Sequence, residues 1–243
     1  MMTIHTRIAV VTGGNRGIGK EVCRLLSSIG YIVVLTARSE MAAKDAALTI
    51  STEKSNVFGA QLDVVIPKTI QNLEDFVISR FGTLDVLINN AGVSLDNSKL
   101  LPKKMIVEDI SPQLLLDTLD VNLVGALRLT QCFLPYMRKS GYGRIVNVSS
   151  SMGRFTKLNV EAPAYRISKV ALNALTVIIA SDLKDYNILV NAVCPGATQT
   201  RMGPVGAIRT SAEAAKGIVW AATLPDGGPS GKFFRDTQPL SWL

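Results

Sequence analysis

The chain has one histidine, His5, and three cysteines, Cys23, Cys132 and Cys194, dispersed through 243 residues. A lone histidine ahead of the first apolar run excludes histidine-based mechanisms. An odd number of distant cysteines beside a single histidine supports neither a disulfide framework nor a zinc site, so buried, reduced thiols are expected and no metal is needed. No stretch approaches the roughly eighteen uncharged apolar residues of a membrane span. Met1 to Arg7 also lacks the apolar run of a secretory leader, so a soluble, cytoplasmic protein without membrane partners is expected. Aromatic residues are sparse at 6%, and the charge of +7 comes from scattered Lys and Arg. The densest basic pair, Lys103 and Lys104, has no interleaved aromatics, which argues against nucleic acid. A basic field of this kind also suits a small polyanionic cofactor.

What is abundant is apolar: hydrophobic residues make up 47% of the chain and charged ones 19%, an ordinary globular balance. Six short apolar runs recur, Arg7 to Thr12, Ile32 to Thr36, Val57 to Leu62, Leu84 to Asn89, Arg144 to Val148 and Ile188 to Val193, with a seventh near Lys232 to Phe234. Between them the spacing predicts helices over Ile18 to Ile29, Glu40 to Thr52, Lys68 to Phe81, Pro112 to Arg138, Ala164 to Lys184 and Ser211 to Thr223. Apolar strands alternating with helices imply an α/β fold, a doubly wound parallel sheet of about seven strands in one Rossmann-type domain over residues 1–243. Ligands of such sheets bind beyond the carboxyl ends of the strands, where strand order reverses.

The first run leads directly into Thr12-Gly13-Gly14-Asn15-Arg16-Gly17-Ile18-Gly19 and then an amphipathic helix. Glycines there allow a tight turn and close backbone approach to a pyrophosphate, whose charge meets free N–H groups at the helix start. Gly13, Asn15, Arg16, Gly17, Ile18 and Gly19 are therefore candidate cofactor residues. The second run ends Thr36-Ala37-Arg38-Ser39, with no carboxylate to hold the ribose hydroxyls of NAD. Arg38 together with Arg16 instead provides two guanidinium groups for a 2′-phosphate, which favours NADP(H).

Tyr165 and Lys169 lie four residues apart at the start of a predicted helix, so both project from one face. A phenol titrates near ~10, and moving it three units towards neutrality takes roughly 4 kcal/mol of preferential phenolate stabilisation. An adjacent ammonium and an oxidised nicotinamide are the expected sources.

With these features the chain resembles the short-chain dehydrogenase/reductase family over essentially its whole length. The resemblance rests on Thr12 to Gly19, Asp63-Val64, Asn89-Asn90-Ala91-Gly92, Asn122, Ser149-Ser150, Tyr165-x-x-x-Lys169 and Pro195-Gly196 with Thr200. It implies that Asp63 and Val64 face the adenine, that Asn90, Ala91 and Gly92 line the cofactor, and that Pro195, Gly196, Thr198 and Thr200 hold its nicotinamide end. It further implies a catalytic set of Asn122, Ser150, Tyr165 and Lys169. Ser150 would bond the substrate carbonyl and Tyr165 would donate the proton. Lys169 would bind the nicotinamide ribose and lower the tyrosine pKa, and Asn122 would hold a water linking the lysine to solvent. Alternation along the strand points Ser149 away from Ser150.

Within the family the resemblance is nearest to carbonyl reductases, through Gly143 to Ser150, Cys194-Pro195-Gly196 and Gly231 to Asp236. The expected partner is a small carbonyl substrate, an aldehyde, ketone or quinone. Some carbonyl reductases carry a long insertion between serine and tyrosine that blocks dimerisation, whereas only fourteen residues separate Ser150 from Tyr165 here. A homodimer or homotetramer through the long helices is therefore compatible with the sequence. The segment between Thr200 and Ser211 is short, and Met152, Phe155, Met202 and Val205 are candidate lining of an open pocket. The alternatives are a dedicated 3-oxoacyl thioester or sterol reductase, and a non-catalytic NADP-binding regulator.

Overall fold

The computed structural model describes residues 6–51, 56–97 and 105–243, so His5, Thr52, Lys103 and Lys104 lie outside the described residues. The apolar runs become β1 (Ile8–Val11), β2 (Ile32–Ala37), β3 (Val57–Gln61), β4 (Val86–Asn89), β5 (Gly143–Val148), β6 (Ile188–Val193) and β7 (Phe233–Arg235), followed by β8 (Gln238–Leu240). They form one sheet in the order β3-β2-β1-β4-β5-β6-β7-β8, parallel except for the last pair.

The alternation within β1 shows why both faces must be covered. Ala9 and Val11 enter one core, and Ile8 and Val10 enter the other. The first core is closed by α1 (Gly17–Ser28), α2 (Glu40–Ile50) and α7 (Ser211–Ala222), the second by α3 (Pro67–Phe81), α5 (Gly125–Ser140) and α6 (Pro163–Asp182). Order reverses between β2-β1 and β1-β4, which opens the crevice at their carboxyl ends. Among the described residues, no helix is long and apolar enough to cross a membrane.

Two local departures from the sequence reading have physical causes. The strand count is eight, because Asp236 and Thr237, with φ of 51° and 68°, turn the chain back into β8. That is the geometry of a mirror-image hairpin turn, usually signalled by Asn-Gly or Asp-Gly, neither of which is present. The tail is anchored where Trp242 stacks on Phe233, with ring centroids 5.2 Å apart. The long helix expected from Pro112 to Arg138 begins as α4 (Pro112–Leu119) and widens into a π turn over Asp120–Val124 before α5. Gly125 N–H there reaches back to Asp120 C=O, five residues away, and Asn122 is the buried member of that turn. Such bulges concentrate at functional sites.

Candidate active site

Four segments meet at the carboxyl end of the sheet: the glycine loop after β1, the loops after β4 and β5, and the first turns of α6. The glycine loop is braced from β4. Asn90 Nδ2 donates to Thr12 O at 2.8 Å and to Gly13 O at 3.2 Å, and Ala91 N–H donates to Thr12 Oγ1 at 2.8 Å. Asn90 and Ala91 thus shape the loop rather than reach out of it. Gly17 begins α1 at φ 52°, and a Cβ on Gly19 would lie 2.4 Å from Gly13 O, so both positions require glycine. Ile18 packs against the first core, Asn15 is half-buried in the loop, and Arg16 precedes the helix, exposed.

Arg16 is held below its ordinary pKa, first by burial of part of its side chain, then by the like charges of Arg201 and Arg38. Three guanidinium groups therefore converge, from the glycine loop, the end of β2 and the segment after β6. None has a carboxylate partner among the described residues. Arg201 escaped the sequence reading because it lies beyond the family motif ending at Thr200; only the fold brings it back. Thr200 marks the approach, its methyl lying 3.6 Å from where a Cβ on Gly17 would be.

Other cofactor candidates divide by what their side chains do. Asp63 accepts from Val65 N–H at 3.2 Å, shaping the turn after β3. The Val64 side chain is buried in the second core against Gly125, which leaves only its backbone for a ligand. Thr198 is also turned inward, its hydroxyl donating within its own loop to Pro195 O at 3.3 Å and Gly196 O at 3.1 Å. Gly196, at φ 79°, turns that loop.

The proposed catalytic set is brought together. Lys169, 4% exposed, donates to Val148 O at 2.9 Å, and its Nζ lies 5.6 Å from the Tyr165 ring centre. A Cβ on Gly92 would be 3.7 Å from that Nζ, so the loop after β4 passes directly beside it. The Tyr165 hydroxyl pairs with Ser150, whose Oγ also accepts Met152 N–H at 3.1 Å. Ser149 is committed elsewhere, donating to Asn173 Oδ1 at 2.6 Å. Asn122 accepts Val93 N–H and donates to Val93 O, both at 2.8 Å, and donates to Ser168 Oγ at 2.9 Å. Its side chain ties the loop after β4 to α6.

Burial dominates the electrostatics of the pair. Burial pushes the Tyr165 phenol up to about 12; the hydrogen bond with Ser150 pulls the other way, and Cys194 and Asp96 add to the rise. Burial pushes Lys169 down to about 8. The same burial that brings the two side chains together penalises both charged forms.

A polar ladder seats α6 on the sheet: Asn89 donates to Asn147 at 2.9 Å, Asn147 to Thr176 at 2.9 Å, and Asn173 to Gly153 O at 3.0 Å. These buried amides carry no sequence signal of their own. Around the opening, Phe155 (60% exposed), Met202 and Val205 (90%) leave apolar surface on the loops after β5 and β6. Met152 is half-buried.

Residues 7–206 match the family model described as short chain dehydrogenase. The chain is 32% identical to a (+)-neomenthol dehydrogenase of Capsicum annuum, with 96% of each chain covered. It is 34% identical to a salutaridine reductase of Papaver bracteatum, covering 97% of this chain and 96% of that one. The alignments run over 304 and 303 positions, more than the 243 residues present here, so these relatives contain inserted stretches that this chain lacks. The solved structure of salutaridine reductase from Papaver somniferum superposes with a TM-score of 0.81 at 32% identity, covering 95% of this chain and 99% of that one. The chain belongs to the short-chain dehydrogenase/reductase family and is an oxidoreductase of that class.

Proposed function

We propose that this oxidoreductase uses NADPH to reduce the carbonyl group of an aldehyde, ketone or quinone, with Tyr165 as proton donor. The observation carrying this reading is the Ser150–Tyr165 hydroxyl pair at the sheet opening, with the buried Lys169 ammonium behind it. A nicotinamide dinucleotide phosphate fits the residues present. The glycine loop leaves a cradle that a Cβ would fill, and the convergence of Arg16, Arg38 and Arg201 is unfavourable until a polyanion neutralises it. In this reading the glycine loop and the three arginines hold the phosphates, while Gly92, Lys169 and the segment from Pro195 to Thr200 flank the nicotinamide end. When bound, the nicotinamide supplies the hydride.

The chain's own residues then manage the charge on the substrate oxygen. Ser150 donates a hydrogen bond to the carbonyl, and Tyr165 transfers its phenolic proton as negative charge develops there. A phenol held up at about 12 stays protonated across the neutral range, as a proton donor must. Lys169 is positioned to compensate the phenolate left behind. Asn122 fixes the π turn against Val93 and Ser168, so the loop bearing Gly92 keeps its place beside Lys169. One domain thus performs both binding and chemistry.

The same reading places the enzyme in the cytoplasm, where its unpaired cysteines would remain reduced. It also assigns a homodimer formed through the exposed Leu116 of α4 and Ile167, Val177 and Ile178 of α6.

The test follows oxidation of NADPH and, separately, NADH over quinones, α-dicarbonyls, aromatic aldehydes, a 3-oxoacyl thioester and the ketones related to neomenthol and salutaridine. Turnover of several carbonyls with NADPH, reduced by ~10²–10⁴ in Tyr165→Phe, is the expected result. Turnover with NADH alone refutes the cofactor assignment, and NADPH binding without any turnover refutes the reductase reading.

A further inference from the structure

Helix α6 carries Tyr165 and Lys169, yet its first turn has no local cap. Ala162 occupies the N-cap position in the left-handed region, φ 53° and ψ 53°, with no side-chain acceptor to offer. Pro163 follows and has no N–H, so Ala164 and Tyr165 carry the first free donors. A carboxylate from a distant segment fills the gap. Asp96, in the short turn Leu95–Asn97 after β4, accepts the Tyr165 N–H through Oδ2 at 3.1 Å. The same stretch is joined to α6 a second time: Met105 N–H donates to Asp96 O at 3.2 Å, and Ala162 N–H donates to Met105 O at 3.0 Å.

Asp96 is 0% exposed, and its other oxygen, Oδ1, is buried without a partner among the described residues, as is the Ser94 hydroxyl two residues earlier. A serine at position 162 would offer a local cap without burying an acid. The fold instead accepts a left-handed alanine, at a cost of about 1–3 kcal/mol, and encloses a carboxylate. Strain and desolvation of this kind cluster where geometry serves chemistry.

We propose that Asp96 is a positioning residue for Tyr165, holding that residue's own N–H so that α6 starts in one place and the phenol has one aim, and placing a fixed anion beside the proton donor. The inference rests on Tyr165 being the donor. The charge acts among named neighbours. Ser150 on the loop after β5 and Cys194 after β6 face the phenol, Lys169 lies on the same helix, and Arg166 feels both Asp96 and Glu161. Asp96 opposes ionisation of Tyr165 and keeps its proton in place until the substrate oxygen takes it.

Asp96→Asn keeps an oxygen for the Tyr165 N–H and removes the charge. Ultraviolet tyrosinate absorbance after a rapid pH jump, with a Tyr165→Phe background subtracted, reads the phenol without cofactor or substrate. The expected result is a fall in the Tyr165 titration, because the Asp96 charge opposes formation of the phenolate. The basic limb of kcat/KM should fall equally, kcat should drop about fivefold, and the NADPH Kd should stay within twofold. An unchanged titration overturns the proposal, as does a loss of activity that merely parallels a loss of NADPH affinity and melting temperature. If Asp96→Asn does not accumulate as folded protein, Asp96→Glu must fold and keep the wild-type titration. Failure of both reduces Asp96 to a structural cap. Should the wild type reduce no carbonyl, the reductase reading falls, while the tyrosinate titration still decides the role of Asp96.

Discussion

Lys169 should weaken the fold it serves, and its replacement by methionine should expose that cost. Burial moves its ammonium from 10.5 to about 8. At ~1.4 kcal/mol per unit, keeping the buried group charged at neutral pH costs about 3 kcal/mol. Methionine fills nearly the same volume without the charge, but it abandons the 2.9 Å bond to Val148 O. An unpaired carbonyl costs about 1–2 kcal/mol. Lys169→Met should therefore be more stable than the wild type by roughly 1.5 kcal/mol at pH 7, and about 4 °C higher in Tm for a domain of this size. The pH dependence carries the sign. Between about 8 and 10.5 the unfolded lysine binds a proton that the folded one does not, so wild-type stability rises with pH across that window. The variant's advantage is complete below pH 8 and lost by pH 10.5. Urea unfolding of both proteins without cofactor, at pH 7 and pH 10, measures this. A variant less stable than the wild type by the same amount at both pH values would show that the ammonium is not strained and that the argument from burial fails.

Other perturbations follow from the same geometry. Arg16→Gln, Arg38→Gln and Arg201→Gln should each weaken adenosine 2′,5′-bisphosphate about tenfold while sparing AMP, as loss of one charge-assisted contact implies; calorimetric titration of both ligands decides it, and equal losses would remove the arginines from the 2′-phosphate. Gly19→Ala should abolish measurable NADPH binding in a folded protein, because the new methyl would meet Gly13 O and Asn90 Nδ2 at 2.4 and 2.5 Å. At the opposite end of the sheet the Tyr142 ring lies between Arg7 at 3.4 Å and Arg144 at 4.1 Å. Tyr142→Ala should cost about 2 kcal/mol in urea unfolding without altering kcat, the sum of two cation–π contacts.

The fold was legible because its strands are buried on both faces and so are written as unbroken apolar runs, each bounded by helical spacing. Helix ends were legible where a local device sets them, as with Thr210 and Glu213 at the start of α7. They were illegible where the device is remote. No residue near Ala162 announces that Asp96 will cap α6, and in the turn before β8 Asp236 tolerates positive φ whereas the β-branched Thr237 is not a type expected there. The π turn at Asn122 likewise leaves apolar spacing almost intact, so periodicity alone reads straight through it.

The candidate site shows the same division, and the reason lies in how its parts are held. Tyr165 and Lys169 could be paired from the sequence because a helix dictates their spacing, whereas Ser150, on the loop after β5, was reached only through the family resemblance. Arg201, Asp96 and the ladder Asn89-Asn147-Thr176 act through tertiary contacts, so nothing in the spacing of neighbours selects them. The ionisation state of the site belongs to this second group. Four residues of helix place a phenol and an ammonium on one face, but whether the pair attracts or suffers depends on how much water the fold removes. Here the fold removes enough to push the phenol up to about 12 and the amine down to about 8. The buried ammonium attracts negative charge that develops beside it more strongly than a solvated one would, since electrostatic attraction grows as the local dielectric falls. A site left strained in this way gains most when cofactor and substrate bring their charges into it, and that gain is available for catalysis because the fold has already met the desolvation cost.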